Sequence, residues 1–233
     1  MQPYLFPYLG YFQLIAAVDR FVVYDDVSFI KNGWINRNRI LGGGAAGREP
    51  EPAYFTVPLE GASSFKAIRE VGVSPDPRWR AKLLKTLAQT YARAPCFREV
   101  YPLVESVLGA TEARVSALAV ASLRAVAAYL ALEAEFVPSS AAYENGELRG
   151  QERVLDICRR EGATTYVNPS GGRELYARDA FAARGVTLRF LEPQLRAYPQ
   201  LRPPFVPGLS IIDVLMFNPR DRVRELLDDY RLV

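Results

Sequence analysis

Residues 2–26 read QPYLFPYLGYFQLIAAVDRFVVYDD and set two patterns in immediate succession. Pro3 and Pro7 fix the backbone among aromatic residues. Gly10 then opens YFQLIAAV, a run apolar on most sides that predicts a short buried helix. Phe21 to Tyr24 (FVVY) is a compact, β-branched run ending at Asp25 and Asp26, the pattern of a buried strand entering a polar loop. Further on the alternation resumes, with strand 135–137, helix 151–160, strand 164–167, helix 175–183 and strand 187–191. Strands joined by helical crossovers predict an α/β fold, a mainly parallel sheet flanked by helices.

The middle of the chain follows another rhythm. Extended candidates at 34–41, 54–59 and 68–73 are interrupted by GGGAAGREPEP (42–52), whose glycines and prolines preclude regular structure. Asp76 and Pro77 then make an N-cap and first-turn pair, and Trp79, Leu83, Leu84, Leu87 and Tyr91 follow at helical spacing. A second series (Phe97, Val100, Val104, Val107, Leu108) ends at Gly109. Thr111 is placed to cap a third (Val115, Leu118, Ala119, Ser122, Leu123, Val126, Leu130). The expectation is one domain over 1–233 with a helical insertion, 76–132, as a possible subdomain. After the Pro-rich stretch 193–208, LSIIDVLMF predicts an apolar helix. Asn218 and Pro219 open a last one with Val223, Leu226, Leu227 and Tyr230 inward.

Composition narrows the chemistry. Basic and acidic residues number 29 and 26, so the net charge of +3 gives no strong signal for a nucleic-acid partner. No apolar run approaches the ~18 residues of a membrane span, and MQPYLFPYL lacks the regions of a signal peptide. The expectation is a cytoplasmic protein. Cys96 and Cys158 stand in unrelated contexts that suggest neither a disulfide framework nor a metal knuckle. There is no histidine. That excludes Ser-His-Asp and Cys-His catalysis and HExxH zinc sites, leaving carboxylates, Tyr, Lys, Arg, Ser, backbone amides or a bound cation.

Five places could carry that chemistry. Gln2, Tyr4, Tyr8, Gly10 and Tyr11 lead into a helix start where backbone N–H groups suit a phosphate or carboxylate, although an aromatic cluster packing a terminus explains them equally well. Asp25 and Asp26 end a buried strand, where open parallel sheets place ligands; adjacent residues face opposite sides, so one of them enters the site, as general base or metal ligand, unless both serve a turn. KNGWINRNR supplies Lys31, Trp34, Arg37, Asn38 and Arg39 without apolar periodicity, and these suit an anionic small molecule with a ring to stack. Asn168, Ser170, Gly171 and Gly172 of NPSGG form a βα loop that is neither a P-loop nor a dinucleotide fingerprint; a tight turn is the plain alternative. Ser210 and Asp213 share a helical face amid aliphatic residues, where the carboxylate needs a titration role or a partner such as an arginine of NRNR.

Together QPYLFPYLGYFQLI, VDRFVVYDDVSFIKNGWINRNRIL, YFTVPL, YVNPSGGRELY and LSIIDVLMFN resemble the WbqC-like protein family over nearly the whole chain. The resemblance implies a place in O-antigen or other surface-polysaccharide biosynthesis, and a transferase that acylates or aminoacylates, in glycyl fashion, an amino sugar that is possibly nucleotide-linked. A non-catalytic sugar-nucleotide or partner-binding module is the alternative. On this reading Asp25, Asp26, Lys31 and Asp213 are the catalytic candidates, the substrate is an anionic sugar, no metal is called for, and the cofactor is not specified. Two departures stand out: relatives carry a further apolar strand before QPY, and often a Lys where this chain has Glu60. PYLGYF with VDRFVVYDD is also similar, more distantly, to nucleotidylyltransferase-like enzymes, with Tyr8 and Tyr11 where their HxGH histidines stand.

Overall fold

The computed structural model describes residues 1–42 and 49–233, so most of the glycine-rich loop expected at 42–52 lies outside the described residues. Helix α1 (Leu9–Ala16) is buried on nearly every side and leads into strand β1 (Arg20–Val22). Two antiparallel pairs come next. They are β2 (Arg37–Leu41) with β3 (Pro52–Thr56), and β4 (Leu59–Glu60) with β5 (Gly72–Val73). Ile68–Glu70, expected to be extended, is a 3-10 turn.

Three helices fill the middle as expected: α2 (Arg78–Tyr91), α3 (Phe97–Gly109) and α4 (Val115–Tyr129). Leu83, Leu87 and Tyr91 recur at intervals of four along α2 and are its buried residues. Asp76 accepts a hydrogen bond from the Arg78 N–H (3.0 Å) ahead of α2. Thr111 is not a cap, because α4 begins four residues later.

The remaining elements are β6 (Glu135–Val137), α5 (Gly150–Arg160), β7 (Thr165–Pro169), α6 (Arg178–Ala182), β8 (Thr187–Pro193), α7 (Ile211–Phe217), α8 (Arg220–Leu227) and β9 (Tyr230–Leu232). β1 pairs parallel with β6, and β7 parallel with β8. β9 closes the edge of β8 antiparallel. The expectation of a mainly parallel sheet is thereby corrected: the protein is a mixed α/β structure whose described sheets are small, two- and three-stranded, and mixed in direction. The hairpins of 37–73 and the closing strand at Tyr230 supply the antiparallel pairs. The apolar spacing places Tyr230 on the last helix, but α8 stops at Leu227 and Tyr230 opens β9.

The principal core joins the N-terminal segment, α1 to α4, the hairpins and α7–α8. A second cluster, Val154, Leu155, Cys158, Phe181, Val186, Leu188 and Phe190, lies between α5, α6 and β8. Gln13 of α1 is fully buried and donates to the carbonyls of Leu226 (2.8 Å) and Asp229 (2.9 Å). It thus satisfies a backbone carbonyl in the last turn of α8 and another just beyond it.

Gly10 shows how tightly α1 is seated. A β-carbon there would lie 2.5 Å from the Tyr8 ring and 3.0 Å from Pro193. Gly10→Ala is expected to cost about 1–3 kcal/mol through overpacking, seen as a lower urea midpoint. An unchanged midpoint would show that Tyr8 can swing aside.

Candidate active site

The carboxyl ends of β1 and β6 lie side by side, and hydrogen bonds carry the pairing past both strands: Val23 N–H to the Val137 carbonyl (3.0 Å) and Ser140 N–H to the Val23 carbonyl (2.7 Å). This register sets Asp25 and Asp26 against Ser139 and Ser140. The two aspartates diverge, as alternation along an extended chain requires. Asp25 is 3% exposed and accepts from the hydroxyls of Ser116 on α4 (2.7 Å) and Ser139 (2.6 Å). Asp26 turns the other way, accepting from the Ser140 hydroxyl and forming an ion pair with Arg153 of α5.

Tyr24, Asp26, Val27, Ser28, Arg149, Arg153 and Tyr176 line a cleft of about 440 Å³, together with Gly146, Leu148, Gly150 and Val154. Arg153 is buried; it donates to Asn145 Oδ1 (2.9 Å) and lies 4.9 Å over the Tyr24 ring. Gly150, with a positive φ of 49°, begins α5 and lines the cleft. Burial pushes the Asp26 carboxyl up, but hydrogen bonds from Arg153 and Ser140 outweigh it and hold it below the ordinary carboxylate range. Burial likewise raises the Tyr24 phenol, so both tyrosine and aspartate keep a fixed charge state near neutrality. Such a site can orient a ring against Tyr24 and Tyr176 and meet an anion with Arg149, as α/β proteins do at strand carboxyl ends.

The other expected residues lie elsewhere. Phe6 has a left-handed backbone (φ 41°). Its N–H donates to the Ser122 hydroxyl (3.0 Å), and its carbonyl accepts from Asn38 Nδ2 (2.9 Å) and the Ser210 hydroxyl (2.6 Å). The side chains of Asn38 and Ser210 thus hold the N-terminal backbone. Gln2 receives the Tyr11 hydroxyl on its carbonyl (2.6 Å), and the Tyr4 ring tilts against Tyr11 at 5.6 Å. Tyr8 makes a β-bridge with Ser210. The Met1 carbonyl accepts from the Tyr24 N–H (2.8 Å), which lays the first residue beside β1.

Arg37, Tyr54, Trp34 and Arg39 form a ladder. Arg37 lies 4.9 Å over Tyr54, Trp34 stacks on Tyr54 at 6.1 Å, and Arg39 lies 5.5 Å over Trp34. Lys31 is exposed in the adjoining turn. Asn168 donates to the Tyr166 hydroxyl (2.9 Å) and packs against Gly172, where a β-carbon would come within 2.8 Å of it; Ser170 and Gly171 open a 3-10 turn.

Asp213 does not pair with an arginine of NRNR. Its carboxylate accepts from the hydroxyls of Tyr91 (2.9 Å) and Tyr198 (2.7 Å) and from Gln200 Nε2 (2.8 Å), while Arg39 donates to the Gly208 carbonyl. Burial raises its pKa, and the three donors only moderate the shift. Among the described residues no group of three or more Cys, Asp and Glu is placed to hold a metal ion.

Tyr24, Ser139, Ser140, Arg149, Arg153 and Tyr176 were not singled out in the sequence. Arg153 is buried on α5 near Val154 and Ile157, where a charge requires an acid partner, but its burial shows only in the packing.

These features define a mixed α/β protein with a ligand-sized cleft at the carboxyl ends of two parallel strands. The chain belongs to the WbqC-like protein family, whose model matches residues 2–225. It is also similar to the uncharacterized protein Rv1507c of Mycobacterium tuberculosis (strain ATCC 25618 / H37Rv), 30% identical over 215 residues, covering 91% of this chain and 89% of that one. No solved structure matches.

Two substitutions test this site. Because the folded pKa of Asp26 is depressed, the stability its ion pair contributes is complete above about pH 4, the usual Asp range, and is lost as pH falls through the lower folded value. Arg153→Gln is therefore expected to cost about 3 kcal/mol at pH 7, with the gap to wild type narrowing in acid. Denaturation at both pH values checks this, and a gap that stays constant would assign the effect to packing. Asp213→Ala should cost about 3 kcal/mol by stranding the buried Tyr91 hydroxyl and the half-buried donors of Tyr198 and Gln200, and Asp213→Asn distinctly less; equal losses would mean that the acceptor oxygen is immaterial.

Proposed function

We propose that this protein is a transferase that acylates or aminoacylates the amine of an anionic amino sugar, phosphorylated or nucleotide-linked, in surface-polysaccharide biosynthesis. The observation that carries the reading is the cleft of Tyr24, Asp26, Arg149, Arg153 and Tyr176. Tyr24 and Tyr176 suit a sugar ring, and Arg149 suits a phosphate. Asp26, held ionised by Arg153, is an acceptor for the substrate's amine. In the reaction the amine nitrogen would attack the carbonyl of an activated acyl donor such as a thioester. The C–N bond forms, the donor's leaving group departs with its electron pair, and the amine proton passes through Asp26 to solvent. Membership of the WbqC-like family supports the same reading.

A second reading, a non-catalytic sugar-nucleotide-binding module, is favoured by one observation: the carboxylates at the strand ends already have internal partners. The two readings separate in one experiment. Nucleotide-linked amino sugars, with activated aminoacyl donors, are expected to raise the melting temperature and to yield an amide product detectable by mass spectrometry. Asp26→Asn should cut turnover about a hundredfold, the lower range of general-base contributions, and leave binding largely intact. Arg149→Ala should weaken binding. A thermal shift without product across a broad donor panel selects the binding module, and neither shift nor product removes both.

A further inference from the structure

Two loops next to the β2–β3 hairpin expose apolar side chains that a folded chain would ordinarily cover. Phe65 is 99% exposed and Ile30 53%. The loops are stitched together by the Ser28–Ala67 bridge and by hydrogen bonds from Phe29 N–H to the Lys66 carbonyl (2.9 Å) and from Ile68 N–H to the Val27 carbonyl (2.9 Å). That antiparallel register, continued two residues outward, sets Ile30 opposite Phe65.

Neither tip is free to fold back. Phe65 N–H donates to the Ser63 hydroxyl (3.2 Å) and Lys66 N–H to the Ser63 carbonyl (3.1 Å). On the other loop, Gly33 N–H donates to the Ile30 carbonyl (3.2 Å), and Arg37 clasps the carbonyls of Asn32 and Gly33. The apolar groups are therefore presented by a braced frame.

Within the two loops the charge has one sign. Residues 27–41 and 61–69 contain no Asp or Glu, and they carry Lys31, Arg37, Arg39, Lys66 and Arg69. The bordering acids are Glu60 and Glu70, and the Glu70 carboxylate accepts the Ala67 N–H (2.8 Å) at the base of the loop. Nucleobase stacking is not the natural use of this surface, because the Trp34 and Tyr54 rings already stack on each other and lie beneath Arg39 and Arg37. A paired apolar tip adjoined by Lys31 and Lys66 instead matches an anionic lipid surface, where a hydrocarbon-like side chain enters the interface and cations meet headgroups.

We propose that this double-loop tip, with Phe65 and Ile30 inserting and Lys31 and Lys66 flanking them, docks the protein reversibly on anionic membranes. No described helix is long and apolar enough to cross one, so attachment of this kind is peripheral. The tip lies outward of Val27 and Ser28, which also line the Asp26 cleft, and its docking does not depend on the transferase reading.

The test is co-sedimentation of the full chain with vesicles of phosphatidylglycerol and phosphatidylcholine, against phosphatidylcholine alone. Binding is expected to need the anionic lipid and to weaken with salt. Phe65→Ser should reduce it about tenfold, and Lys31→Ser and Lys66→Ser about fivefold each. Phe65 has almost no neighbours to lose, so an unchanged melting temperature will confirm that the variant is folded. Absence of sedimentation, equal binding to the neutral vesicles, or binding indifferent to Phe65→Ser would overturn the proposal. So would self-association in sedimentation velocity that Phe65→Ser abolishes, which would assign the tip to a second copy of the chain.

Discussion

The peptide group of Phe6 is where distant parts of the chain meet. Its N–H is held by Ser122 of α4, and its carbonyl by Asn38 of β2 and by Ser210, which also caps α7. A left-handed backbone at a bulky residue costs on the order of 1–3 kcal/mol and persists only where the surroundings over-determine it. Here three elements far apart in sequence do so. The geometry allows Pro7 to turn the chain into α1, and α1 in turn seats against α8 and β8. Without that turn the N-terminal segment could not lie both beside β1 and under the helical middle.

Buried carboxylates organise the rest, and they are satisfied in different ways. Asp25 and Asp213 rely on hydroxyl and amide donors, whereas Asp26 has an arginine. Neutral donors satisfy a buried carboxylate without a second desolvated charge, which makes the contact directional more than strongly attractive. Asp213 thereby ties the Pro-rich segment, through Tyr198 and Gln200, to Tyr91 of α2. Asp25 ties α4 to the end of β6. The helical middle, which sequence periodicity sets apart as an insertion, is bonded into both.

What was legible in the sequence follows from range. The three middle helices and β6 could be read because their periodicity or β-branching is local. The divergence of Asp25 and Asp26 was legible because it depends on alternation alone. Sheet direction was not, since nothing local in Tyr230 or Pro52 says which strand each will lie beside. The cleft was half legible: Asp26 announced itself, but Arg153 resembled an ordinary helix charge and Tyr24 an ordinary strand aromatic. Both acquire meaning only when β6 brings α5 across β1. Asn38 and Ser210 posed the opposite problem, because a polar residue that caps backbone is indistinguishable in sequence from one that meets a ligand.

The Asp26–Arg153 pair also sets the character of whatever the cleft admits. Its two charges cancel locally, which leaves Arg149 as the uncompensated charge among the cleft's described lining residues. An anionic guest of the kind proposed would be drawn in by a single cation, so its rate of arrival would respond only weakly to ionic strength. Discrimination among such guests would then fall to the fit of their rings against Tyr24 and Tyr176 more than to charge.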